Sequence, residues 1–188
     1  MSAPTLDQAL DAALTSVDAT TYRSTFRAHA AAVVVVTADA GRGPAGFTAT
    51  SLASVSLDPP LISFALDASS SSWPTIERAR AVVVNFLDNA HAGLAGRFAT
   101  SGIDRFAPPT AWSRLASGEP QLDDAPAHLR AEIVDRLPAG DHRIVLAHVL
   151  DARTHRAYSP LIYHRGRYRA LPDHPDHPDH PDHQETTP

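Results

Sequence analysis

AAVVVVTADAGRGPAGFTATSLASVSLDPP (residues 31–60) is the stretch on which the fold turns. Its first nine residues centre on a β-branched run that would be apolar on both faces of an extended chain, which predicts a buried strand over 31–39. GRGP (41–44) supplies a turn, and AGFTATS (45–51) returns as a partner strand. So short a connection favours antiparallel pairing. The rest of the stretch raises a chemical question. Five of the fifteen residues in GFTATSLASVSLDPP (46–60) are Ser or Thr, none is Lys or Arg, and the run closes on a double proline.

Outward from this ribbon the same grammar repeats. LISFALD (61–67) and AVVVNFLD (81–88) read as strands. Between them SSSSWPTIERARA (69–81) offers Ser caps and Pro74 in the first turn of a helix. NAHAGLAGRFATSG (89–102) reads as a short helix, and 103–126 as a long loop. AHLRAEIVDRL (127–137) alternates as a half-buried strand; PAGD turns it into HRIVLAHVLDART (142–154). PLIYHRGRYRAL (160–171) is a hairpin about Arg165-Gly166. On the N-terminal side, Thr20 or Thr21 is the expected cap of a helix over Tyr22 to Ala30, and residues 1–18 form a helical lead-in. Strands joined by tight turns, with a few short flanking helices, predict a mainly β (α+β) chain: an antiparallel sheet curled into a barrel.

Composition narrows the function. The chain has 188 residues, enough for one core-bearing domain, here 19–171, with a lead-in and a tail (172–188). The net charge of −5 argues against a large nucleic-acid footprint; Lys is absent, so all 16 cationic side chains are Arg, which carries no functional weight. No apolar stretch is long enough to span a membrane, and the acidic N-terminus does not read as a secretory signal, so the expected setting is the cytoplasm. With no Cys, thiol catalysis and Cys-ligated metals are excluded. The tail repeats Pro-Asp-His four times over 172–183, which reads as a solvated low-complexity segment with no functional metal site.

The hydroxyl run admits three readings. It can be a polar-faced strand and turn. It can hold a serine nucleophile, but G-x-S-x-G is missing. Or it can bind a flat ligand through neutral donors and close backbone approach, as a flavin requires, with Ser69–Ser72 before the helix at 74 as a phosphate end.

The motifs GFTATSLASVSLDPPLISFAL, SSSSWPTI, VVVNFL, LAGRFA, DRF, GDHRIVLAHV and PLIYHRGRYRAL, in this order, resemble the flavin reductase family over about residues 20–171. The resemblance implies an FMN-binding split barrel of Greek-key type. It implies an NAD(P)H:flavin oxidoreductase that uses NADH or NADPH to reduce FMN or FAD for a partner monooxygenase, and a homodimer. On this chain it implies that Thr48, Ala49, Thr50, Ser51, Ser54, Val55 and Ser56 line the ring and ribityl chain. Ser71 and Ser72, with Arg97 and Phe98, would meet the phosphate. His142, in the Gly140-Asp141-His142 turn, would stand beside the nicotinamide as the catalytic residue, with Tyr163 and Tyr168 bordering the pocket. Other split-barrel reactions, of the pyridoxamine-phosphate-oxidase or F420 type, would bring more bases near the hydroxyl run than the chain has. A non-catalytic flavin carrier or sensor, metal-responsive through the His-rich tail, is the remaining alternative.

Overall fold

A computed structural model describes residues 16–171. The expected lead-in before residue 16 and the Pro-Asp-His triplets lie outside the described residues. The chain runs α1 (Ala19–Arg27), β1 (Ala31–Ala32), β2 (Val34–Asp39), β3 (Pro44–Ala49), β4 (Ala53–Ser56), β5 (Leu61–Asp67), α2 (Trp73–Ile76) and β6 (Ala81–Phe86). A 3₁₀ turn (Asn89–His91) leads into α3 (Ala92–Ala99), then β7 (Trp112–Arg114), β8 (Pro120–Leu122), β9 (Ala127–Ala139), β10 (His142–Thr154), β11 (Leu161–His164) and β12 (Arg167–Ala170).

Seven strands make one antiparallel sheet in the order β3-β2-β6-β9-β10-β5-β4. Its two edges, β3 and β4, are only three residues apart in sequence, so the sheet has to curl until its margins meet. They meet without pairing. Phe47 and Phe64 bring their ring centroids to 6.0 Å, and the Ser51 hydroxyl accepts from the Ala65 N–H at 2.9 Å and donates to its C=O at 3.2 Å. Among the described residues no ladder joins β3 to β5, so the barrel stays split along that seam.

The valine run lacks a polar face because both of its faces are covered. Val34, Val36 and Ala38 fill the barrel with Phe64, Val82, Val84 and Val145. Val33 and Val35 turn outward into a second core with Phe98, Phe106, Leu122 and Leu161, under α3 and the hairpins. The expected strand over 31–39 is therefore broken at Val33. Ala31 and Ala32 leave the barrel to pair with β11, while β2 stays in the sheet.

Other expectations shift for local reasons. Helix α1 starts at Ala19 because Asp18, not a threonine, is the cap: its carboxylate accepts from the Thr20 and Thr21 N–H groups at 2.9 and 3.0 Å. The helix after the serines is a single turn, since the chain must re-enter the sheet at Ala81. Residues 53–56, within the hydroxyl run and given no strand of their own in the sequence reading, form edge strand β4 with a bulge between Ser54 and Ser56. The segment 103–126, read as a loop, contains the β7–β8 hairpin. At the β11–β12 turn, Arg165 (φ 52°) and Gly166 (φ 78°) both sit in the left-handed region, as a two-residue hairpin of the mirror-image type demands.

Hairpin β7–β8 is tied down by polar groups that the valine pattern hides. Buried Asn85 accepts from the Leu122 N–H at 2.9 Å and donates to the Val35 C=O at 3.0 Å and to Thr37 at 3.1 Å. Thr37 in turn donates to the Pro120 C=O at 2.5 Å. Asn85→Leu leaves these groups unpaired inside the protein. The expected cost is about 2–3 kcal/mol of unfolding free energy in a urea titration.

Candidate functional site

The site begins with a property of edge strands. In an antiparallel ladder, alternate residues turn both backbone polar groups to the same side. Gly46 turns its carbonyl away from β2, where it accepts from the Ser72 hydroxyl and from Arg105 Nη1, both at 2.9 Å. Two residues on, Thr48 faces the same way, so its N–H and C=O lie on the open side of the seam. A side chain at Gly46 would close this geometry, because a Cβ there would meet the Phe98 ring at 2.8 Å.

The seam opens into a cleft of ≈ 480 Å³. One wall is Phe47 to Ser51; the facing wall is Ala65, Leu66, Asp67, Ser69 and Ser70. Phe98, Ala99, Ser101 and Arg105 close one end, and His142 stands at the rim.

The hydroxyls of the run mostly hold the frame. Thr48 donates to the Ala95 C=O on α3 at 2.6 Å, and Ser51 bridges to β5. What β3 offers a ligand is therefore its backbone, with Ala49 buried beside it and Thr50 exposed at the lip.

Arg105 carries the charge of the closed end. Its Nε donates to the Thr100 C=O at 2.9 Å and its Nη1 to Gly46 and, at 3.0 Å, to Ser72; Nη2 has no partner among the described residues. Burial pushes the guanidinium pKa below its ordinary value, yet it stays a cation at any working pH. A partly desolvated cation with one free edge is the arrangement that gains most from an incoming anion.

On the facing wall Asp67 is held below the usual carboxylate range by the Ser69 hydroxyl and N–H, helped by the positive charge His142 can carry. His142 pairs with Asp67 across β10 and β5. Its ring is half exposed, and its Nδ1 lies 2.7 Å from an Asp141 oxygen. Asp141 thereby favours the Nδ1–H form and leaves Nε2 for a ligand. Gly140, at φ 62°, makes the two-residue turn that delivers both side chains.

The other residues singled out in the sequence fall elsewhere. Ser72 is buried and hydrogen-bonded to Gly46 and Arg105, so it orients the arginine; Ser71 is exposed outside the cleft. Helix α2 is too short to bring a macrodipole to a phosphate. Arg97 points into the 104–107 loop, bonding three carbonyls there, whereas its neighbour Phe98, though buried, does line the closed end of the cleft beside Arg105. Ser54, Val55 and Ser56 lie on the far edge, outside the cleft wall. Tyr168 packs against the second core, edge-on to Tyr163. His91, not among the residues expected in the site, is a buried capping residue outside the cleft, its Nδ1 2.7 Å from Asp88. Ser69 and Ser70, from the expected phosphate end, do line the cleft, and Arg105 and Asp67, which the sequence reading did not single out, join them there. Among the described residues no group of three or more His, Asp or Glu is placed to hold a metal.

Fold and cleft together define the class: a split-barrel protein with a nucleotide-sized cleft at its open seam. The chain belongs to the flavin reductase like domain family, which it matches over residues 26–172. It is 42% identical over 160 residues to the NADH:FMN oxidoreductase of Rhodococcus erythropolis, covering 82% of each chain. Among solved structures it is similar to SgcE6, the NADH:FAD oxidoreductase of Streptomyces globisporus C-1027 in complex with NAD and FAD fragments. That match has a TM-score of 0.79 at 29% identity and covers 87% of this chain and 100% of that one. It is also similar to nitrilotriacetate monooxygenase component B from Mycobacterium thermoresistibile, with a TM-score of 0.76 at 30% identity over 81% and 86% of the two chains.

Proposed function

We propose that the protein is an NADH-dependent flavin reductase that takes FMN in the seam cleft and releases reduced flavin to a partner monooxygenase. The single observation that carries this reading is the pairing of a neutral backbone edge at Thr48 with one desolvated arginine at the closed end. A flavin mononucleotide needs those two things: in-plane donors and acceptors for an uncharged ring system, and a cation for a terminal phosphate. The residues fit it.

Within the cleft the Thr48 backbone and the lip at Ala49, Thr50 and Ser51 hold the ring plane. Arg105 takes the phosphate through Nη2, steadied by Ser72, with Ser69 and Ser70 opposite. When bound, the flavin supplies the acceptor for a hydride carried by a reduced nicotinamide. His142 orients the nicotinamide at the open rim: Nε2 accepts from its carboxamide while Asp141 holds Nδ1. Relatives named as NADH:FMN and NADH:FAD oxidoreductases support FMN or FAD as acceptor and NADH as donor. The monooxygenase component supports an oxygenase partner.

Two further parts of the reading rest on the chain's surface and its donor. The directly paired Leu137 and Ile144 remain 46% and 38% exposed, an apolar pair on the longest ribbon that supports a homodimer through β9–β10. No helix among the described residues is long and apolar enough to cross a membrane. Dependence on NADH supports a cytoplasmic setting.

The assay is direct. A trace of protein mixed with excess FMN and NADH should consume NADH over many turnovers, with oxygen reoxidising the product. Bound flavin with no sustained NADH loss would make the protein a carrier and overturn the reading.

A further inference from the structure

The C-terminal tail carries the chain's entire charge imbalance. Its five acids, Asp173, Asp176, Asp179, Asp182 and Glu185, come with no Arg and account for the net charge of −5, so residues 1–171 are balanced. Against this tail stands a groove of ≈ 720 Å³ that lies beside the cleft and shares Thr50 and Ser51 with it. Arg23, Arg27, His29 and Arg165 line the groove, and no Asp or Glu does. No side-chain hydrogen bond or ion pair of these three arginines occurs among the described residues. Arg80, Arg114, Arg130, Arg153 and Arg156, by contrast, each face a carboxylate.

The floor of the groove is aromatic. Tyr22 and Phe26, one turn apart on α1, bring their ring centroids to 4.7 Å, and both residues are more than half exposed. Helix α1 has no buried residue at all, so its apolar stripe has no partner among the described residues. The Arg165 N–H donates to the Arg27 C=O at 2.9 Å, and a Cβ at Gly166 would lie 3.1 Å from Arg27 Nη2. Helix and hairpin tip therefore form one continuous basic rim.

A basic groove with an aromatic floor suits an acidic proline repeat. Polyproline II has three residues per turn, so a Pro-Asp-His repeat would sort its prolines, carboxylates and imidazoles onto three separate edges. A proline edge packs on aromatic rings, and carboxylates pair with guanidinium groups. The reach suffices. Ala170, at the end of β12, pairs with Leu161, in the fourth rung from the Arg165-Gly166 tip, a run of about 13 Å. Residues 172–188 would span about 50 Å in polyproline II. Residues 1–15, the other stretch outside the described residues, bring only two acids, Asp7 and Asp11, and one proline.

We propose that the chain's own tail docks in this groove, with its carboxylates on Arg23, Arg27 and Arg165 and its prolines on Tyr22 and Phe26. Seated there, it covers the lip at Thr50 and Ser51 and restricts entry to the cleft. The docking stands on the groove and the tail alone; the restriction of entry rests on the cleft reading above.

The chain has no cysteine, so a Gln184→Cys variant of the full-length protein takes a single nitroxide label on the tail. In amide spectra the oxidised label should bleach the signals of Tyr22 to Arg27 and Gly166, and reducing it should restore them. The bleaching should disappear when Asp176, Asp179 and Asp182 are all changed to Asn, and weaken in Arg23→Ala. The all-Asn tail should also lower the KM for NADH by about threefold, as the open form becomes the whole population. Absence of bleaching on α1, or bleaching that survives the all-Asn tail, overturns the docking. Bleaching of an isotope-labelled, label-free chain in mixed dimers would overturn it too, assigning the groove to a second copy's tail. Docking with an unchanged KM would overturn the restriction of entry. A protein whose tail docks but which reduces no FMN would sink the cleft reading and leave the docking standing.

Discussion

Arg105→Ala should raise the Kd for FMN about 100-fold while leaving the Kd for riboflavin within about threefold. The two ligands differ only in the terminal phosphate, so their comparison isolates the anion. A charge-assisted hydrogen bond to a phosphate is worth about 1.5–3 kcal/mol, and Arg105 enters it already stripped of part of its water. The comparison also controls for structural damage. Arg105 ties the Thr100, Gly46 and Ser72 positions together, and loosening them would weaken both ligands alike. Equal losses for FMN and riboflavin would remove the phosphate from this end of the cleft. Arg105→Lys should recover part of the affinity only, because a lysine ammonium cannot hold Gly46 and the phosphate in one plane.

His142→Ala should lower kcat/KM for NADH by about 100-fold or more with FMN affinity nearly unchanged. The residue stands at the rim and touches neither the β3 edge nor Arg105, so its loss should spare the flavin. Asp141→Ala offers an independent check. It should cost about tenfold in kcat/KM, because it frees the imidazole to rotate and to change tautomer without removing it. Unaltered NADH turnover in His142→Ala would take this residue out of the site.

Much of this architecture was legible in the sequence. The alternation in LISFALD and in HRIVLAHVLDART defines β5 and β10 at their observed bounds. The valine run announced a strand covered on both sides, as the two cores require. What escaped has physical causes. β4, β7 and β8 are three or four residues long, too short to display a period, and they carry Ser, Pro or Arg where a strand signal needs apolar residues. Asp18 outcompeted the threonines as a cap because its carboxylate reaches two N–H groups at once.

In the site, the backbone ribbon and His142 were visible, whereas the partners of the hydroxyls were not. Nothing local in SSSSWPTI says that Ser72 will turn inward to Gly46, 26 residues away. Arg97 and Arg105 lie eight residues apart, and only the fold decides that the first clamps the loop and the second faces the cleft. The signal for Arg105 was present as DRF (104–106). Asp104 caps the turn by accepting from the Phe106 and Ala107 N–H groups, and Phe106 anchors it in the second core.

A crystal structure with FMN tests the central claim most directly. The account predicts the flavin ring lying along β3 with a hydrogen bond from the Thr48 N–H, the phosphate on Arg105 Nη2, and one ring face open toward His142. FMN found against Tyr22 and Phe26, or its phosphate at the His142 end with Arg105 still bare, would contradict it.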